Sequence, residues 1–217
     1  MITWLSPDDP PERFPPHEAA LHDPPGLLAA GGDLTVERLV AAYQRGIFPW
    51  YSPGQPVLWW SPDPREVLLP QEFHWSRRLV RDLRTRGFEW RADHDFAAVV
   101  AGCAAPRARS PGTWITPEMS SAYCRLHQQG LAHSYEIWRA NQLIGGVYGV
   151  RLGRVFFGES MFSRERDASK AALAGLVERS AELGIELIDC QLPSAHLRSL
   201  GSRAMARAQF LRFLSRA

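Results

Sequence analysis

Between His133 and Phe162 apolar and polar positions alternate in three runs, HSYEIWR, LIGGVYGVRL and VFFGESMF. Side chains on a strand point alternately to its two faces, so these runs predict strands, with Gly153-Arg154 as a two-residue hairpin loop and an antiparallel meander as the result. From about Asp167 to Leu183 the spacing becomes helical and Gly184 stops it, after which IELIDCQL, residues 185–192, reads as a further strand. Upstream the period is helical in four places. One helix follows Thr35 as N-cap, with Leu34 and Leu39 placed as a hydrophobic staple, Glu37 in the first turn and Gly46 as the stop. A second is expected over residues 74–87, where Trp75, Leu79 and Leu83 form an apolar stripe and Arg77, Arg78, Arg81 and Arg84 the opposite side. The others run from about Asp93 to Ala104, and from Thr116, with Pro117 at the first position, to Gly130.

Three strands, a helix and a strand make an α/β layer arrangement. Twelve of the 17 prolines lie in residues 1–64, which predicts a loop-rich N-terminal part with short elements. The composition changes near Arg65, so the expected division is an N-terminal domain over residues 1–65 and a larger one over 66–217. With no membrane-length apolar run and no secretory signal at the N-terminus, a soluble cytoplasmic protein is expected. The three cysteines lack C-x-x-C spacing and read as free, buried thiols. Net charge is only +2, but 24 of the 25 basic residues are arginine. A lone lysine in such a composition, Lys170, is a candidate for a specific role.

Burying an acid costs several kcal/mol unless something compensates it, so polar residues late in apolar strands mark candidate chemistry. Strict alternation puts Val155, Phe157, Glu159 and Met161 on one face of their strand, and Ile185, Leu187, Asp189 and Gln191 on one face of the last. Ligands of α/β sheets gather at such strand ends. An internal ion pair of Glu159 with an arginine or Lys170 is the competing explanation. No H-E-x-x-H, P-loop or G-x-G-x-x-G opening a helix is present, and Gly158-Glu159-Ser160-Met161-Phe162 lacks the final glycine of a nucleophile elbow. Asp93-His94-Asp95 reads as capping acids rather than a metal site, and His127 and His133 as surface or core residues. Trp50, Trp59 and Trp60 fall within eleven residues of proline-rich loop. Exposed aromatics stack on nucleobases and neighbouring arginines hold phosphates, so with the arginine stripe they form a candidate RNA surface; a solvated helix face is the other reading of that stripe.

GLLAAGGDLT, AYQRGIFPWYSPGQPVLWWSPDPR, GTWIT, GGVYGV, FFGESMFSRERDASKAAL and LIDCQLPSAHLRSLG, in this order from residue 26 to 201, resemble the bacterial leucyl/phenylalanyl-tRNA protein transferases. The resemblance implies a small N-terminal domain and a C-terminal domain similar to the GCN5-related acetyltransferase (GNAT) fold, with a mainly antiparallel sheet flanked by helices. It implies transfer of leucine or phenylalanine, and less readily methionine, from aminoacyl-tRNA to the α-amine of proteins beginning with Arg or Lys, marking them for degradation by the N-end rule. The partners are then leucyl-tRNA, phenylalanyl-tRNA and such acceptor proteins, with no membrane. No cofactor and no metal are expected, because an amine attacking an aminoacyl ester runs downhill and positioning dominates. By resemblance Asp189 and Gln191 are the catalytic pair: Gln191 orients the amine or donates to the oxyanion, with Asp189 polarising the arrangement. Glu159 receives the acceptor's cationic side chain or its amine, and is better placed against the guanidinium, because an acid beside the amine stabilises the inert ammonium form; Lys170 pairs with Glu159 or meets the tRNA end. The aminoacyl pocket carried over is Trp50, Trp114, Val147, Phe156, Met161, Leu173 and Ile188. Val147, Leu176 and Ser180 depart from the family's larger residues and leave the preference between leucine and phenylalanine open. The arginines 77, 78, 81 and 84 are the expected tRNA contacts. Two alternatives stand beside this reading, an acyl-CoA-dependent N-acetyltransferase and a non-catalytic RNA-binding module. The turn SRERDAS, which has no glycine to let backbone N–H groups hold a pyrophosphate, counts against the first.

Overall fold

The computed structural model describes residues 2–105 and 113–215, so Gly112 of the GTWIT block lies outside the described residues. The proline-rich start forms a four-stranded sheet of short strands, β1 (Thr3–Leu5), β2 (Leu27–Gly31), β3 (Phe48–Pro49) and β4 (Leu58–Trp60), in the order β1-β2-β4-β3. Between β2 and β3 runs α1 (Val36–Gln44), capped by Thr35 as expected.

From Arg65 the chain enters a second sheet. Its strands are β5 (Arg65–Leu68), β6 (Glu89–Ala92), β7 (Ala132–Arg139), β8 (Gln142–Leu152), β9 (Val155–Ser163), β10 (Leu187–Gln191) and β11 (Arg203–Met205), in the order β11-β5-β10-β9-β8-β7-β6. The meander β7-β8-β9 is antiparallel and turns at Gly153-Arg154 as the alternation predicts. Among the described strands of this sheet only β9 and β10, joined through α5 (Ala168–Leu183), run parallel, as do β1 and β2 in the first sheet. The mixed α/β class is the one expected. On one face lie α3 (Phe96–Ala104) and α4 (Pro117–Gln128), packing with Tyr43, Phe157 and Tyr148; on the other lie α5 and α2 (Arg77–Thr85), packing with Phe156, Ile188 and Leu79. The chain closes with α6 (Ala195–Arg198) and α7 (Arg207–Leu214).

Three expectations need correction. The helix α2 begins after its N-cap Ser76, so Trp75 is not on its stripe; it lies outside, edge-on to Phe73 at 4.8 Å, and Asp82 joins Leu79 on the buried side. A β-bulge interrupts β9. Tyr148 pairs with Ser160 but Gly149 with Gly158, leaving Glu159 as the extra residue, so Met161 crosses to the α5 face while Val155, Phe157 and Glu159 keep the other. In β10 the face is likewise broken: Ile185 precedes the strand and packs on the α5 side, and a register shift falls between Asp189 and Gln191. Gly149 opposite the β9 bulge has no room for a side chain, since a Cβ would stand 2.1 Å from the Phe157 carbonyl oxygen.

Candidate active site

The β9 bulge and the end of the neighbouring β10 bring two of the expected polar residues together. The Gln191 amide Nε2 donates to Glu159 Oε1 at 2.9 Å. From the α4 side the Tyr123 hydroxyl donates to Glu159 Oε2 at 2.5 Å, and the Tyr43 hydroxyl of α1 lies 2.9 Å from that of Tyr123. Burial dominates the electrostatics of Glu159 and, with the nearby charge of Asp189, pushes its pKa up to about 7; the hydrogen bonds from Tyr123 and Gln191, with the Tyr43 hydroxyl close behind Tyr123, oppose the rise. Among the described residues no cation pairs with Glu159. Lys170, one of the partners considered for it, reaches Asp167 at 3.3 Å instead.

Asp189 is fully buried beneath this pair. Its Oδ1 accepts from Arg65 Nε at 2.8 Å and its Oδ2 from Arg65 Nη2 at 2.6 Å, a two-pronged ion pair between β10 and β5. Arg65 is 1% exposed, donates a third bond to the Gly46 carbonyl at 3.0 Å, and sits between the rings of Phe48 and Phe210. Asp189 Oδ1 also accepts the Gln191 backbone N–H at 2.9 Å. That bond steadies Gln191 in a left-handed conformation, φ +61°, which costs a non-glycine residue about 1–2 kcal/mol. Asp189 is thus hydrogen-bonded to the Glu159–Gln191 pair through the Gln191 backbone.

Glu159 and Gln191 line a cavity of about 800 Å³. Six of the seven residues carried over for an aminoacyl pocket are on its wall: Trp114, Val147, Phe156, Met161, Leu173 and Ile188. The bulge makes this possible, because it turns Met161 to the side where Val147, Phe156 and Ile188 already pack with Leu173 of α5. The seventh, Trp50, is not on the wall; it lies 39% exposed against Trp60, whose indole N–H donates to its carbonyl. Cys190, half-buried, lines the cavity too, and burial first, with the acids beside it, pushes its thiol well above the ordinary range. Cys103 is buried and Cys124 half-buried, and none of the three cysteines forms a disulfide among the described residues.

Elsewhere Arg77, Arg78, Arg81 and Arg84 are all exposed on α2, but not equally free. Arg78 faces Asp82 and Asp167, and Arg81 lies 3.1 Å from Asp82. Of the two expected capping acids only Asp95 caps α3; Asp93 instead accepts from the Ser134 N–H and pairs with His133. Among the described residues no group of His, Cys, Asp and Glu is placed to hold a metal ion, and no helix is long and apolar enough to cross a membrane. The sequence reading missed Arg65, Tyr43 and Tyr123. Only Arg65 left a sign, a charge standing where the composition changes.

A family model described as leucyl/phenylalanyl-tRNA protein transferase matches residues 67–215, and one described as the N-terminal domain of that protein matches 32–63. A Pseudomonas entomophila relative named leucyl/phenylalanyl-tRNA--protein transferase is 57% identical over 216 residues, covering 100% of this chain and 95% of its own. Relatives of the same name from Ectopseudomonas mendocina and Pseudomonas aeruginosa are each 56% identical with the same coverage. Among solved structures, FemX superposes with a TM-score of 0.52 at 11% identity, over 79% of this chain and 66% of FemX, a likeness of fold. A GCN5-related N-acetyltransferase from Kribbella flavida aligns at a TM-score of 0.39 and 12% identity over 77% of this chain and 60% of its own, too loose to argue from.

Proposed function

The chain belongs to the leucyl/phenylalanyl-tRNA protein transferase family and is an aminoacyltransferase; from that premise we propose that it moves leucine or phenylalanine from the 3′ end of a charged tRNA to proteins whose first residue is Arg or Lys, marking them for degradation by the N-end rule. The observation that carries this reading is the shared cavity, an apolar wall of Val147, Phe156, Met161, Leu173 and Ile188 ending at the Glu159–Gln191 pair. Such a wall takes an unbranched-β apolar side chain, and the polar pair meets the ester it carries. In this account residues 1–65 form one unit and 66–217 the transfer unit. The site lies in the second, next to Tyr43 from the first.

The chemistry forms a bond from the amine nitrogen to the ester carbonyl carbon and breaks the carbonyl's bond to the ribose oxygen. One proton ends on that oxygen and one must leave the α-ammonium. Glu159 takes the latter. An α-ammonium loses its proton at a pKa of about 8, so transfer to an acid near 7 costs about 1.4 kcal/mol, whereas an ordinary glutamate would cost about 5. Burial thus resolves a conflict: the carboxylate attracts the cation without locking the amine in its inert form. Gln191 fixes the geometry of Glu159 and presents its amide at the reacting carbonyl. Asp189, locked to Arg65, acts by holding Gln191.

The test is transfer of labelled leucine from leucyl-tRNA to a peptide beginning with Arg, beside a Ser-starting control. Transfer to the first alone supports the reading. Acetyl transfer from acetyl-CoA, or tRNA binding with no transfer, would replace it with one of the two alternatives. The arginines of α2 give a second expectation. Replacing Arg77, Arg81 and Arg84 by alanine weakens tRNA binding and lowers the slope of log affinity against log salt by about 2, with Arg77 and Arg84 contributing most because Arg81 is tied to Asp82. An unchanged slope removes this helix from the interface.

A further inference from the structure

The tyrosine pair behind Glu159 is used by nothing derived so far. Tyr43 comes from α1, Tyr123 from α4 and the carboxylate from β9, and all three are buried. Two buried phenols side by side in a core need a reason, because phenylalanine would pack as well without two hydroxyls to satisfy. Here they form a chain. The Tyr123 proton is committed to Glu159, so the Tyr43 hydroxyl is the donor in the contact between the two phenols. Both rings pack against neighbouring aromatics, Tyr43 lying 5.0 Å from Phe157 and Tyr123 5.2 Å from Tyr148.

We infer that the Tyr43–Tyr123 hydroxyl pair is a positioning element for transfer, fixing the Glu159 carboxylate against Gln191 and keeping it ionised so that it can take the amine's proton. The inference rests on the role given to Glu159 above. The groups facing Glu159 are Tyr43 on α1, Tyr123 on α4, Tyr148 on β8, and Asp189 with Gln191 on β10, the Asp189 charge being paired with Arg65 of β5. Burial and Asp189 favour the protonated acid; the two tyrosines and Gln191 favour the anion. Burial raises both tyrosine pKa values well above the ordinary range, so the phenols remain donors wherever the enzyme works. Through Tyr43 the N-terminal part of the chain reaches the reacting carboxylate.

The experiment is a carbon NMR titration of protein labelled at glutamate side-chain carboxyls, with the Glu159→Gln spectrum identifying the resonance. Tyr123→Phe moves the Glu159 midpoint up by about one pH unit, and Tyr43→Phe moves it by less in the same direction. In parallel, kcat/KM for leucine transfer by Tyr123→Phe, taken as a ratio to the unaltered protein, falls about tenfold near pH 6 and recovers toward unity near pH 9. The ratio cancels titration of the acceptor amine. A ratio that is low at every pH, or a midpoint that does not move in a folded variant, overturns the inference. If Tyr123→Phe fails to fold, Tyr43→Phe decides, with an unmoved midpoint as the refuting result. Absence of transfer by the unaltered protein would instead overturn the functional reading, while the titration still tests the hydroxyl pair.

Discussion

Asp189→Ala is expected to lower the unfolding free energy by about 3–5 kcal/mol, read from denaturant curves at neutral pH. The reason is the charge left behind rather than the contact removed. Arg65 is 1% exposed, and without Asp189 its guanidinium keeps the Gly46 carbonyl and two aromatic faces but no counter-charge. Water cannot easily reach it there, and an arginine does not escape by losing its proton. Removing both charges, as Arg65→Met with Asp189→Leu, restores part of that stability because the desolvation cost of the pair disappears as well. Transfer does not return in the double variant. The Gln191 N–H then has no carboxylate to hold its left-handed turn, and the amide leaves Glu159. A stable Asp189→Ala protein would mean that Arg65 is anchored by something other than this pair; recovered transfer in the double variant would remove Asp189 from the account of Gln191.

Glu159→Gln is expected to cut transfer by about 10²–10⁴ while making the protein more stable at pH 8. Glutamine keeps the shape and an acceptor for the Tyr123 hydroxyl but takes no proton. The stability gain follows from burial. The carboxyl titrates near 7 in the fold against an ordinary 4.5, so between these values the native state holds a proton that the unfolded chain has released. Stability tied to this group is therefore fully present below pH 4.5 and is lost as pH rises through 7, to a limit of about 3 kcal/mol. The glutamine variant escapes that loss. Its advantage in unfolding free energy is near zero at the acid end of the window, grows across it and levels off above it. An advantage that does not change with pH would mean that Glu159 ionises freely and is no tuned base.

The strong signals in the sequence were those repeated over many residues. The meander β7-β8-β9, the helix α5 and the strand β10 each present a period long enough to read, and they build the middle of the sheet. The strands β5, β6 and β11, of three or four residues, carry no such period and were not anticipated. Glu159, Asp189 and Gln191 stood out because polar residues in apolar strands require partners, and the structure supplies partners for all three. What those partners are could not be read. Arg65 lies 124 positions from Asp189 in a chain where arginine is commonplace, and Tyr43 and Tyr123 sit at helix positions where any core aromatic would serve. Alternation also misplaced Met161, since a bulge adds one residue to a strand without changing its composition, and a single added residue moves every later side chain to the other face.

The most direct measurement is a crystal structure with leucyl-adenosine joined by an amide in place of the labile ester. The account predicts the leucyl side chain among Val147, Phe156, Met161, Leu173 and Ile188, with its carbonyl within hydrogen-bonding distance of Gln191 and its carbonyl carbon open to an amine bound at Glu159. Finding the leucyl group outside this cavity, or its carbonyl turned away from both side chains, would contradict it.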